Sequence, residues 1–201
     1  MFKKLLIATN NQGKFQEIKD VLADLPINLL NLKDLKINQD VEETGKTYEE
    51  NAKIKAEFFA NLATLPVVAD DSGIQVEALK NELGIHTRRW GKGVNASDQE
   101  WLAYFMQIMK SKKNRKACFF STIVFLDNEK KTYKNFVGKC EGIITKNVES
   151  SYLKGIPLSA VFKAEGCNKV YAALSLEEKA QISHRGRAAL LLKDYLKKHF
   201  I

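Results

Sequence analysis

The sequence predicts an α/β fold, and three observations predict it. A short apolar run at Lys4–Thr9 ends in a polar turn and is followed by Phe15, Ile18, Val21, Leu22 and Leu25 at helical spacing, which reads as strand, loop, helix. A second apolar run, Leu65–Ala69, follows a helical segment and stops at Asp70-Asp71-Ser72-Gly73, so a buried strand is expected to deliver polar groups to its C-terminal end. Two β-rich stretches, Ala117–Leu126 and Thr132–Thr145, are joined by the turn-like Asp127-Asn128-Glu129 and are expected to pair antiparallel.

The helices between them carry their own start signals. Thr47 with Glu50 three residues later forms a capping box, in which side chain and backbone satisfy each other's orphan groups, and it opens a helix with Ala52, Phe59 and Leu62 on its expected buried face. Ser97 with Glu100 opens another, with Trp101, Phe105, Ile108 and Met109 on one side. Ser175 and Glu178 cap a short helix, and Leu190, Leu191, Tyr195 and Leu196 give the C-terminal helix its apolar face. No repeat, low-complexity tract or linker interrupts the chain, so residues 1–201 are expected to form one domain.

Composition excludes several classes. With 45% hydrophobic and 28% charged residues and only 14 Gly and Pro together, the chain is neither disordered nor fibrous. Its longest apolar runs fall far short of the roughly 20 residues of a membrane span. Only Leu5–Ala8 follows the two N-terminal lysines before polar residues resume, too little for a signal peptide, so a cytoplasmic protein is expected. Three scattered cysteines, Cys118, Cys140 and Cys167, suggest reduced thiols rather than a disulfide framework or a zinc site. The net charge of +8 suits a polyanionic partner. Lys110–Lys116, with five positive charges in seven residues, reads as a solvated turn rather than a nucleic-acid patch.

Polar residues between strands and helices are where α/β proteins hold ligands. Thr9-Asn10-Asn11-Gln12-Gly13-Lys14 offers backbone N–H groups, a helix N-terminus and an ammonium group to a phosphate, though its spacing is not that of a Walker A loop. Asp70 and Asp71 are adjacent carboxylates that raise each other's pKa unless a cation neutralises them, and a hard divalent ion such as Mg²⁺ is the usual remedy. Glu42 and Glu43 could add oxygen ligands; the alternative is that Asp70 caps a turn while both glutamates face solvent. Ser183-His184-Arg185-Gly186-Arg187, preceded by Lys179, suits an oligophosphate. A Ser-His-Asp hydrolase fits less well, because no Gly-x-Ser-x-Gly elbow is present. His86 is ambiguous and His199 reads as a bystander.

Together, Ala8-Thr9-Asn10-Asn11-Gln12-Gly13-Lys14, Glu43-Thr44-Gly45 with Glu50-Asn51-Ala52, Ala69-Asp70-Asp71-Ser72-Gly73, Glu177-Glu178-Lys179 and Ser183-His184-Arg185 resemble, in order and interval, the signature series of the inosine triphosphate pyrophosphatase family. The resemblance implies an elongated mixed sheet with helices, two lobes flanking a central active-site cleft, and usually a homodimer. It implies Mg²⁺-dependent hydrolysis of ITP, dITP or XTP to monophosphate and pyrophosphate. Thr9, Asn10, Asn11 and Lys14 would form the triphosphate site and Asp71 would be both general base and metal ligand. Glu42 matches the second metal carboxylate, with Glu43 close enough to leave the choice open, and Ser72, Lys179, His184 and Arg185 would contact the nucleotide.

The chain also departs from that pattern. Asn10 stands where the family has glycine, Ala173 replaces a glutamate, and Gly84-Ile85-His86-Thr87-Arg88-Arg89 differs from Gly-Ile-Tyr-Ser-Ala-Arg. The base-reading Gly-Phe-Gly-Tyr-Asp-Pro block is missing in either register: aligning on Phe162 puts Ile156, Pro157, Leu158 and Ser159 at its Phe-Gly-Tyr-Asp, whereas counting from Gly142 reaches Lys154-Gly155-Ile156-Pro157. Phosphate handling is therefore expected to be intact and base selectivity altered. The competing expectations are a catalytically degenerate nucleotide-binding or regulatory protein, disfavoured by Lys14, Glu42 and Asp71, and a nucleic-acid-binding module, for which no motif exists.

Overall fold

The computed structural model describes residues 2–80, 82–93 and 95–200. A mixed sheet of six strands runs through it in the order β2-β1-β3-β4-β5-β6. The strands are β1 (Lys4–Ile7), β2 (Asn28–Leu30), β3 (Val67–Val76), β4 (Lys116–Asp127), β5 (Thr132–Ile144) and β6 (Phe162–Ala164). β1 lies parallel to β2 and β3, and every later pair is antiparallel. The helices are α1 (Gln12–Leu22), α2 (Tyr48–Ala63), α3 (Asp98–Met109), α4 (Leu176–Ile182) and α5 (His184–His199). All three expected capping boxes form, at Thr47/Glu50, Ser97/Glu100 and Ser175/Glu178.

Three apolar cores explain the two lobes. In the first lobe, α1 and α5 cover one face of the sheet, packing Ile18, Leu22, Ala188, Leu192 and Leu196 on Leu5, Ile7, Val68 and Phe125. On the opposite face, α2 packs Ala52, Ala56 and Phe59 on Leu6, Ala8, Val67 and Ala69. The second lobe is built on the far ends of β3, β4 and β5, where α3 contributes Trp101, Phe105 and Met109 to a core with Ile74, Phe119, Phe162 and Tyr171. Each large side chain so buried contributes about 1.5–3 kcal/mol of transfer free energy. Trp101 and Phe105, one turn apart on α3, stack on each other at 5.5 Å.

Three expectations are corrected. The second apolar strand does not stop at Asp70: β3 continues through Asp70-Asp71-Ser72-Gly73 to Val76. β4 pairs with it along the whole length, so the ladder satisfies the backbone whatever the side-chain polarity. Leu62 and Leu191 face outward, 44% and 51% exposed. Leu62 lies two residues past Ala60 and off the α2 stripe, while in α5 Leu192 takes the inward place in register with Ala188 and Leu196. Finally, the basic turn is not wholly solvated, because the Arg115 guanidinium donates to the main-chain oxygens of Met109, Ile144 and Thr145 and ties α3 to β5. The three cysteines are free thiols. Among the described residues no helix is long and apolar enough to cross a membrane.

Candidate active site

Side chains on a strand alternate between faces. Val68 joins the α1/α5 core, and Val67 and Ala69 join the α2 core. Continuing the alternation places Asp70 toward α1 and α5 and Asp71 toward α2, so the adjacent carboxylates acquire different partners. β1 pairs with β3 only at Val67 and Val68, and the cleft opens just beyond that point.

Asp70 is buried, and cations surround it. Lys14 Nζ of α1 lies 3.0 Å from Oδ2 and Arg185 Nε of α5 lies 3.4 Å from the same oxygen. The Ser121 hydroxyl donates to Oδ1, and the Ser72 hydroxyl donates to Oδ2 at 3.2 Å. Burial alone would raise the pKa of this carboxyl, but Lys14, Arg185 and Ser121 outweigh it and hold the group far below the usual carboxylate range. Arg185 is equally spent: it also bonds Glu17 and donates to Ser72 Oγ at 2.8 Å. Asp70 thus positions Lys14 and Arg185.

Asp71 faces the cleft with a lighter set of partners. Asn51 Nδ2 donates to Oδ2 at 3.2 Å, and Lys55 Nζ, one turn further along α2, lies 3.6 Å from Oδ1. Its pKa is raised; burial is the largest cause, and the opposing pull of Lys55 and Lys14 does not cancel it. Lys55 also sits 2.7 Å from Glu43 Oε1 and so bridges the two carboxylates. Burial disfavours the Lys55 ammonium, yet Asp71 and Glu43 keep its pKa above the ordinary value. Of the two glutamates, Glu43 lines the cleft, whereas Glu42 is exposed and does not. Lys55 and Glu17 were not singled out from the sequence; the readable signal for Lys55 was its i, i+4 spacing from Asn51 on the same side of α2.

The cleft encloses about 400 Å³ and is lined by Thr9, Asn10, Asn11, Lys14, Asp71, Ser72, His184 and Arg185, among others. Its phosphate-loop end is less generous in backbone donors than the sequence suggested. The Asn11 N–H donates to Thr9 Oγ1 at 3.1 Å, the Gly13 N–H to Lys154 O at 3.0 Å, and the Lys14 N–H to Asn11 Oδ1 at 3.0 Å. The cationic side chains that line the cleft include Lys14, Lys55, Arg88, Arg89 and Arg185. Lys179 does not line the cleft; it stands behind Glu17, 3.7 Å from Oε1.

Gly155, Ile156, Pro157, Leu158 and Ser159 form another wall of the cleft, whose head packs against Asn11 and Gly13 and whose residues come from both registers. Ser159 Oγ donates to Ile156 O at 2.7 Å, so its proton is used within the wall. Opposite lies an aromatic floor in which His184 stacks on Phe119 at 4.5 Å and runs nearly parallel to Tyr171. Burial and then Arg185 push the His184 pKa well below its usual value, and its Nδ1 has no hydrogen-bond partner among the described residues. His86 is exposed and does not line the cleft.

A model of the Ham1 family matches residues 5–195. The chain belongs to the Ham1 family. Relatives include proteins named dITP/XTP pyrophosphatase from Leptospira interrogans, 36% identical over 98% of both chains, and from Geobacter sulfurreducens, 40% identical over 96% of both. Two solved Ham1 structures have the same architecture. That of the Staphylococcus aureus Ham1 protein superposes with a TM-score of 0.78 at 35% identity, covering 98% of this chain and 99% of that one. That of the Coxiella burnetii HAM1 protein gives 0.81 at 31% identity over 98% and 100%. The Ham1 fold is thus an α/β fold with an elongated mixed sheet, and in this chain the cleft lies between the two lobes.

Proposed function

We propose that this Ham1 protein is a nucleoside triphosphate pyrophosphatase that hydrolyses non-canonical purine nucleotides such as dITP, ITP or XTP to monophosphate and pyrophosphate. The observation that carries the reading is Asp71: a cleft-facing carboxylate with a raised pKa, set beside Lys14 and Lys55 in a chain whose relatives are named dITP/XTP pyrophosphatase. Phosphoryl substitution needs positioning and cations on the oxygens more than covalent help. Lys14 and Lys55 neutralise phosphate charge, Asn51 holds one Asp71 oxygen, and the other, 3.6 Å from Lys55, accepts a proton from the attacking water.

Mg²⁺ belongs to the proposal. Among the described residues no three Asp, Glu, His or Cys side chains converge as a cage, and the two hard carboxylates Asp71 and Glu43 face each other across Lys55. That donor set fits Mg²⁺, which usually takes one or two carboxylates and completes its shell with phosphate oxygens and water. When bound, the ion would screen the phosphate oxygens and lower the pKa of a coordinated water.

The base end supports altered selectivity. Ile156, Pro157, Leu158 and Ser159 present neither an aromatic ring nor a carboxylate to the cleft, so a mismatched base leaves no wall carboxylate unpaired. A smaller preference for ITP and XTP over canonical nucleotides is expected than in a family member with an intact block. A second copy completing a homodimer is part of the same proposal, by resemblance to the family. The test is kcat/KM for ITP, XTP, GTP, ATP, CTP and UTP with monophosphate and pyrophosphate measured separately. Release of orthophosphate and a diphosphate from every substrate refutes the reaction, and strong preference for ITP and XTP over all four canonical nucleotides refutes the altered selectivity.

A further inference from the structure

The wall segment is held at its head from both lobes. Gly155, at φ +90°, has all its backbone polar groups engaged: its carbonyl accepts from Asn11 Nδ2 at 2.7 Å, and its N–H donates to Asp98 Oδ2 at 2.6 Å. One residue earlier, the Lys154 carbonyl accepts from the Gly13 N–H. A Cβ on Gly155 would collide with the Asn11 carboxamide, and a Cβ on Gly13 would lie 2.7 Å from Ile156 Cγ1. The segment is therefore packed flat on the start of α1 on one side and tied to the start of α3 on the other. Asp98 occupies the first position of α3, directly after the Ser97 cap, where a carboxylate is favoured. Its other oxygen lies 3.9 Å from Arg88, whose guanidinium also donates to Ala96 O. Asp98 does not line the cleft.

We infer that Asp98 is a positioning residue for base recognition. It fixes the height of Ile156–Ser159 over the nucleotide through Gly155 without touching substrate, and Arg88 orients its carboxylate. The inference rests on the proposed nucleotide site. The start of α1 shares Asn11 with the wall but keeps holds that do not pass through Asp98, since Asn11 Oδ1 caps α1 and Asp70 holds Lys14. Releasing Asp98 should therefore loosen the wall and leave the phosphate contacts in place.

The experiment compares the full chain with Asp98→Ala and Asp98→Asn, measuring kcat and KM for ITP and Ki for inorganic tripolyphosphate, a probe with phosphates and no base. Loss of a hydrogen bond to a charged group should raise KM for ITP about tenfold in Asp98→Ala, with a smaller change in kcat and Ki for tripolyphosphate within about twofold of wild type. Asp98→Asn keeps an acceptor oxygen for the Gly155 N–H and should recover most of the loss. Unchanged KM in Asp98→Ala, a parallel rise in KM and Ki, or no recovery in Asp98→Asn overturns the inference. Asp98→Ser, too short to reach Gly155, replaces the alanine variant if that one does not fold. A wild-type protein that turns over no nucleoside triphosphate refutes the proposed reaction instead, and the same comparison is then read from Kd values for ITP and tripolyphosphate by calorimetry.

Discussion

Replacing Asp70 by asparagine separates stability from catalysis at two neighbouring residues. The side chain of Asp70 is fully buried and is the shared counter-charge of Lys14 and Arg185, the latter itself 3% exposed. Asparagine keeps the shape and removes the charge, leaving Arg185 with Glu17 alone and Lys14 without its acidic partner. Breaking a buried ion pair costs about 3–5 kcal/mol, and Lys14, 17% exposed, relieves part of this by turning toward solvent, so the lower end of about 3 kcal/mol is expected. For a chain of this size each kcal/mol moves Tm by roughly 2–4 °C, giving a drop of about 6–12 °C. The carboxyl pKa is depressed in the folded state, so its stabilisation is present above the ordinary value of 3.8 and is lost as pH falls below it. Urea unfolding of wild type and Asp70→Asn should therefore differ by a constant amount from neutral pH down to about pH 4, and the difference should shrink at lower pH. Equal stability at pH 7, or a gap that closes already between pH 7 and 5, refutes the assignment of Asp70 as a charged structural hub.

Asp71→Asn should do the opposite, lowering kcat by at least the ~10²–10⁴-fold typical of general-base removal while leaving urea stability unchanged or slightly higher, because burial disfavours the Asp71 charge. Near wild-type turnover in the folded variant removes Asp71 from the mechanism. Lys55→Met removes the cation that most lowers the Asp71 pKa, so the acid limb of the kcat/KM profile should move to higher pH and kcat/KM at neutral pH should fall about tenfold or more. An unmoved limb shows that Asp71 does not set it. Chelation should abolish turnover and Mg²⁺ restore it, while Glu43→Gln raises the Mg²⁺ concentration needed for half-maximal activity and Glu42→Gln leaves it unchanged. Equal effects of the two glutamine variants contradict the placement of Glu43 alone in the cleft.

Much of this protein is local and was legible in the chain. A capping box is a contact between residues three apart, so Thr47/Glu50, Ser97/Glu100 and Ser175/Glu178 specify their helix starts without reference to the rest of the molecule. The antiparallel pairing of β4 and β5 follows from two β-rich runs and a short turn. The ordered blocks from Ala8 to Arg185 carried the family as well. What the chain did not disclose depends on partners distant in sequence. β3 extends past Ala69 because β4, some 50 residues later, supplies its ladder, and only a continuous strand places Asp70 and Asp71 on opposite faces. That alternation, together with the helix on each face, makes one carboxylate a structural counter-ion and the other the candidate base. Glu43 rather than Glu42, Lys55 as a bridge, and Asp98 holding Gly155 across 57 positions are likewise products of side chains meeting in space. Residue types and spacing selected the chemistry available to this chain, and the tertiary structure decided which residues meet and with what partners, because charge, burial and distance are fixed only once the helices and strands pack together.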